Sequence, residues 1–143
     1  MTDSRGLERF VTAQERAYAT ALAELRAGSK QTHWMWFIFP QIAGLGISPT
    51  ARYYAVGSLR EARTYLSHPL LGARLRECVQ AILPWSERLG ADDILGPIDA
   101  LKLKSCLTLF DQVEPNTLFR KALEVFFGGE RDQRTLALLN EQG

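Results

Sequence analysis

Apolar positions recur along most of the chain at the three-and-four spacing of helices. Leu7, Phe10, Val11, Tyr18, Leu22 and Leu25 form one stripe, with Glu8, Arg9, Glu15, Arg16, Glu24 and Arg26 on the opposite face. This pattern predicts an amphipathic helix over about residues 7–27. Gly28 stops it, because glycine readily takes the left-handed conformation that ends helices. Gln14 lies on the apolar stripe, so its amide is either at the stripe's edge or hydrogen-bonded inside. Further on, Ser48-Pro49 has the residues of an N-cap and a first helical turn, and that helix runs briefly to Gly57. Ser58 and Glu61 have capping-box spacing and open a helix to about residue 67. Pro69 starts another, striped by Leu71, Leu75, Val79 and Ile82 and ended by Pro84. Residues 86–96 read as a loop with one short turn. From about Asp99, a helix carries Leu103, Cys106, Leu107, Phe110 and Val113 on one face. Pro115 opens the next, with Leu118, Phe119, Ala122, Leu123 and Phe126 inward and Gly128-Gly129 as its stop. Asp132 caps a last helix through Leu136 and Leu139.

One run resists this reading. Trp34-Met35-Trp36-Phe37-Ile38-Phe39 is apolar throughout, so periodicity cannot separate a buried strand from a short buried helix. Pro40 ends it either way, and residues 41–47, with Gly44 and Gly46, read as a loop. The alternation of strands and helices that marks a parallel sheet is absent. The expected fold is mainly α: a single compact, orthogonal-type bundle of about six to eight helices, one domain over residues 1–143 with its core at about 7–140.

Composition agrees with such a domain and excludes several functions. Apolar residues make up 46% and charged residues 23% of the chain, an ordinary globular balance rather than a disordered one. A net charge of +1 with no basic stripe gives no reason to expect a nucleic-acid partner. No apolar run approaches the length of a membrane span. The first nine residues lack the basic and apolar regions of a signal peptide, so the cytoplasm is the expected location. Cys78 and Cys106 are expected as reduced, buried thiols. With His33 and His68 they match no zinc spacing, so neither metal nor cofactor is expected.

Candidate chemistry concentrates in residues 31–46. His33 with Trp34 and Trp36 is either a core wedge or the wall of a pocket whose aromatic faces stack a planar ligand. Gln41 then fixes the ligand's orientation, and Gly44 and Gly46 either allow close backbone approach to it or make a tight connection. The glycines lack the spacing of phosphate-binding fingerprints. Lys104, Thr108 and Asp111 fall on one face of a later helix, with Ser105 beside them. That face is either a solvated polar surface or a pocket-facing group whose lysine meets an anion. No nucleophile elbow is present, and no catalytic residue is assigned.

Residues 30–41, Lys-Gln-Thr-His-Trp-Met-Trp-Phe-Ile-Phe-Pro-Gln, followed by Gly44-Leu45-Gly46, resemble the signature of domain-of-unknown-function family 1810. So do Glu61-Ala62 with Tyr65-Leu66-Ser67-His68-Pro69, then Leu71-Gly72-Ala73-Arg74-Leu75. Asp99, Lys102-Leu103-Lys104-Ser105 and Thr108-Leu109-Phe110 extend the likeness. It implies a mainly helical, bacterial-type single domain and no established activity. Members are sometimes labelled calpastatin, and nothing in this chain points to protease inhibition. Leu95 and Cys106 depart from it, where the resemblance implies Phe and Ser. Residues 65–75 and 93–96 also resemble part of the NADAR family of ADP-ribose glycosidases, without a matching Trp-Gly pair. The chain is thus expected to bind a small planar anion, a nucleotide or an ADP-ribose-like molecule, between residues 31–46 and 102–111, with or without catalysis. The alternative is a structural or protein-interaction module whose aromatic run is core or interface.

Overall fold

The computed structural model describes residues 4–142. Among them are nine α-helices and no strand. A 3-10 turn, Ser4–Leu7, leads into α1, Glu8–Arg26. Gly28 then takes φ 70°, and the Ser29 N–H closes onto the Glu24 carbonyl at 3.0 Å. The amide of Gln14 is inside: it donates to the Phe37 carbonyl at 2.7 Å and to the Tyr65 hydroxyl at 3.3 Å, and accepts from Arg74 at 3.3 Å. A polar group on the stripe is thereby satisfied and ties α1 to three later segments.

The undecidable aromatic run forms a single helical turn, α2, Met35–Ile38. Beyond it the chain is pinned by one parallel bridge between Ile42 and Val56. The Ala43 N–H donates to the Val56 carbonyl and the Val56 N–H to the Gln41 carbonyl, both at 2.8 Å. Short α3, Pro49–Tyr53, starts on the Ser48 side chain, and α4, Leu59–Ser67, on that of Ser58. A sharp corner leads to α5, Leu71–Ile82, followed by a 3-10 turn at Leu83–Glu87. The one short turn expected within residues 86–96 forms as α6, Ala91–Leu95, where Asp93 turns back to accept the Gly90 N–H at 2.8 Å. Counted with the other one-turn helices, it brings the α-helices among the described residues to nine, against the expected six to eight.

Helix α7, Pro97–Val113, is the axis of the fold, with α4, α6, α8 (Leu118–Phe127) and α9 (Gln133–Glu141) packed against it. Its polar stripe is not a solvated face. Ser105, Thr108 and Asp111 are buried because the chain entering α9 docks there and supplies their partners. The core is one contiguous cluster. Edge-on and tilted rings run through it from Phe10 to Tyr65, Phe110 and Phe119, with centroids 5.2–5.8 Å apart, spacings favourable for aromatic pairs.

Cys78 and Cys106 are free and buried. Burial pushes the Cys78 thiol up to about 12 and that of Cys106 well above the ordinary range. Since the thiolate is the reactive form, iodoacetamide is expected to leave both untouched in the native protein and to label both in denaturant. Stoichiometric labelling of the folded chain, read by mass, would contradict this burial.

Candidate functional site

The loop after α2, the first turns of α7 and the start of α9 enclose a hollow of about 350 Å³. Gln41 and Leu45 line it from the loop, Lys102, Lys104 and Ser105 from α7, and Asp132 and Arg134 from the lead-in and first turn of α9. Ile98 and Leu101 form its apolar lip and stay 72% and 65% exposed. The loop is placed by the Ile42–Val56 bridge and by close packing on α9. A Cβ on Gly44, whose φ is 104°, would lie 3.0 Å from the Leu138 side chain. The Gly44 carbonyl accepts from Arg134 at 3.4 Å. Gly46 is equally tight, its missing Cβ only 2.5 Å from that of Ala51. The two glycines therefore serve loop packing.

The charged residues of the lining are Lys102, Lys104, Arg134 and Asp132. The Lys102 ammonium stands 3.6 Å from the centroid of the Trp36 ring and 3.4 Å from Asp99. Asp99 also holds Lys30 at 3.0 Å, and Lys30 in turn lies over the Trp34 ring. Lys104 pairs with Glu130, an exposed side chain. Ser105 donates to Asp132 at 2.9 Å and the Asp132 N–H to the Thr108 hydroxyl at 2.9 Å. Among the described residues no group of three metal-ligating side chains occurs.

Of the residues singled out in the sequence, Gln41, Lys104 and Ser105 come together in this hollow. Trp36 backs it through Lys102, and Thr108 lies beneath it, holding Asp132. Trp34 is enclosed in the core, its indole N–H donating to Glu24 at 2.8 Å. His33 is exposed and is not part of the lining. Sequence reasoning missed Lys102, Asp132 and Arg134 as lining groups. One signal was present: Ile98, Leu101, Lys102 and Ser105 recur at i, i+3, i+4 and i+7, a single helix face. Nothing local marked Asp132 and Arg134, which reach the hollow through tertiary packing.

Two larger hollows offer less convergence. One of about 690 Å³ is lined by residues 116–118, 120, 121, 124 and 125, all from α8 and its lead-in. Another, of about 750 Å³, lies between the start of α1 and α3. Its Arg9 is already committed to the Tyr53 and Ala55 carbonyls and to Glu61.

The model of a family of proteins of unknown function, DUF1810, matches residues 4–139. The chain belongs to the DUF1810 family. Its fold is similar to the crystal structure, at 1.38 Å, of a conserved hypothetical protein from Mycobacterium tuberculosis. That protein is 47% identical over 96% of this chain and 99% of its own, with a TM-score of 0.92. No curated protein matches. In this DUF1810 chain both departures from the expected signature fall in the core: Cys106 is fully enclosed and Leu95 nearly so. Cys106 adjoins Ser105 in sequence but is enclosed in the core and takes no part in the lining of the hollow. No helix among the described residues is long and apolar enough to cross a membrane.

Proposed function

We propose that this DUF1810 domain binds a small planar anion, a nucleotide or an ADP-ribose-like molecule, in the hollow between the Gln41 loop, α7 and α9. The observation that carries the reading is the convergence of Lys102, Lys104 and Arg134 from two helices on one concavity. Like charges gathered in a cleft focus its field and attract anions. Lys102 keeps Asp99 as its partner, and the partner of Lys104 leaves room for an anion. Glu130 is 69% exposed, and such pairs contribute only about 0–1 kcal/mol, so a phosphate can take its place beside Lys104. Gln41 and Leu45 on one side and Leu101 on the other supply the mixed polar and apolar walls that small-ligand sites use. A bacterial, cytoplasmic setting goes with this reading, since free buried thiols suit a reducing compartment.

A ligand that binds only the native state raises its stability, by about 2.7 kcal/mol at a hundred times Kd. ADP and ADP-ribose are therefore expected to raise the thermal midpoint, and Arg134→Ala with Lys104→Gln to remove that rise. No rise with any nucleotide or nucleotide sugar at millimolar concentration would sink the proposal. The second reading, an interaction module, draws on the exposed Ile47, Ile98 and Leu101. Self-association with rising concentration in analytical ultracentrifugation, together with silence in the ligand screen, would favour it.

A further inference from the structure

The hollow between the Gln41 loop, α7 and α9 supplies cations but no aromatic face. Trp34 is enclosed in the core, and the Lys102 ammonium covers the Trp36 ring at 3.6 Å from its centroid. A second hollow, of about 300 Å³, is lined by Leu95, Gly96, Pro97, Ile98 and Asp99. Ile98 lines both, so the two concavities meet at its side chain. Their chemistry differs. None of the residues lining the second is basic, and its one charged group, Asp99, is already held by Lys30 at 3.0 Å and Lys102 at 3.4 Å. Two of its features suit a flat apolar group. Gly96 has φ 88°, and a Cβ there would meet nothing within 4 Å, so the backbone is bare on that side. Glycine is the residue that lets a ligand approach the main chain closely. Ile98 is 72% exposed, and covering its wholly apolar side chain removes that surface from water.

We propose, resting on the anion reading of the first hollow, that the second seats the base of a nucleotide whose phosphates lie in the first. The joined site then selects nucleotides over phosphate compounds that lack a base. In a nucleotide the ribose separates phosphate from base, and Ile98 separates the cationic hollow from the apolar one in the same way. The base lies against the bare Gly96 backbone and the Ile98 side chain, and the phosphates meet Lys104 and Arg134. Small-ligand sites combine apolar walls with a few placed polar groups, and here the two are divided between adjoining hollows. Ile98 is therefore the specificity-determining residue. It reads the presence of the base and, having no polar atom in its side chain, takes no part in holding the phosphates.

Calorimetric titration of the whole chain with ADP and with pyrophosphate tests this. Pyrophosphate carries at least as much negative charge, so attraction to the cations alone favours it. ADP is instead expected to bind roughly tenfold tighter or more, the effect of burying one apolar group. In Ile98→Ser that preference should fall several-fold while the affinity for pyrophosphate stays as it was. Ile98 is exposed, so the substitution leaves the core untouched. Pyrophosphate binding as tightly as ADP to the wild-type protein would overturn the base seat and leave the anion reading intact. An ADP preference that survives unchanged in Ile98→Ser would overturn the role of the second hollow. If neither compound binds, the anion reading itself falls, and the base seat with it.

Discussion

Gly72→Ala is expected to destabilise the protein by about 3 kcal/mol or more, the upper end of overpacking effects. The sign is the reverse of what helix propensity suggests, since alanine in an exposed helix gains about 1 kcal/mol over glycine. Gly72 is the second residue of α5, where that helix turns back across the end of α4. A Cβ there would lie 2.0 Å from the carbonyl oxygen of Leu66 and 2.8 Å from its carbon. Both atoms are backbone, and neither can rotate away. The corner is also held tightly. The His68 Nδ1 accepts the N–H groups of Leu70 and Leu71 at 3.1 and 3.2 Å, and the Gly72 N–H reaches the His68 carbonyl at 2.9 Å. Arg76 donates to the same Leu66 oxygen at 3.3 Å. Relief would require α4 and α5 to separate, opening the core between them. Urea denaturation measures the loss directly, and a midpoint matching the wild type would show that the corner is looser than its geometry.

Glu24→Gln comes next, at about 2 kcal/mol, the scale of bonds to a charged acceptor. The Glu24 carboxylate gathers four donors from the chain that follows α1. These are the N–H groups of Gln31 and Thr32 at 2.8 and 3.0 Å, the Thr32 hydroxyl at 2.7 Å and the Trp34 indole at 2.8 Å. A glutamine can keep its Oε1 on the three N–H donors and turn its NH2 to the Thr32 hydroxyl, but the charge that strengthens all four bonds is lost. Partial burial raises the carboxyl's pKa, but the four hydrogen bonds outweigh it and bring it from 4.5 to about 2. A folded-state value below the unfolded one stabilises fully above about pH 4.5 and is lost as pH falls toward 2. The variant should therefore be less stable at pH 7, and its gap to the wild type should narrow between pH 4.5 and 2. A gap that stays constant across that range would mean that the carboxylate's charge contributes nothing.

Much of the fold was legible from local chemistry. Phe10, Leu22 and Leu25 marked the inner face of α1, and Ser48, Ser58, Asp132, Gly28 and Gly128 marked helix ends where the structure has them. These signals are readable because a cap or a stripe is decided within one or two turns. The Trp34–Phe39 run was not, since an all-apolar segment carries no period, and only the packing around it selects a single helical turn. The α7 stripe of Ser105, Thr108 and Asp111 was ambiguous for a related reason. A polar face next to water and one docked against a helix start have the same sequence. The candidate site divides in the same way. Gln41, Lys104 and Ser105 could be named from residue type and neighbourhood. Asp132 and Arg134, roughly thirty residues from Ser105 along the chain, join them only through the docking of α9. His33 showed the converse error: its company of aromatics suggested a pocket, yet the chain turns it outward while Trp34 goes in.

The double hold on Asp132 has a consequence for the thermodynamics of binding. Ordering a flexible wall around a ligand consumes roughly 0.5–1.5 kcal/mol for each side chain immobilised. Here Ser105, Thr108, Asp132 and Thr135 are already joined, through hydroxyls and backbone N–H groups, into one hydrogen-bonded unit. That entropy is lost when the chain folds, not when the ligand arrives. Arg134 at the lining and Glu130 beside it are exposed, so the ordering that binding still requires falls on a charged rim around a wall arranged in advance.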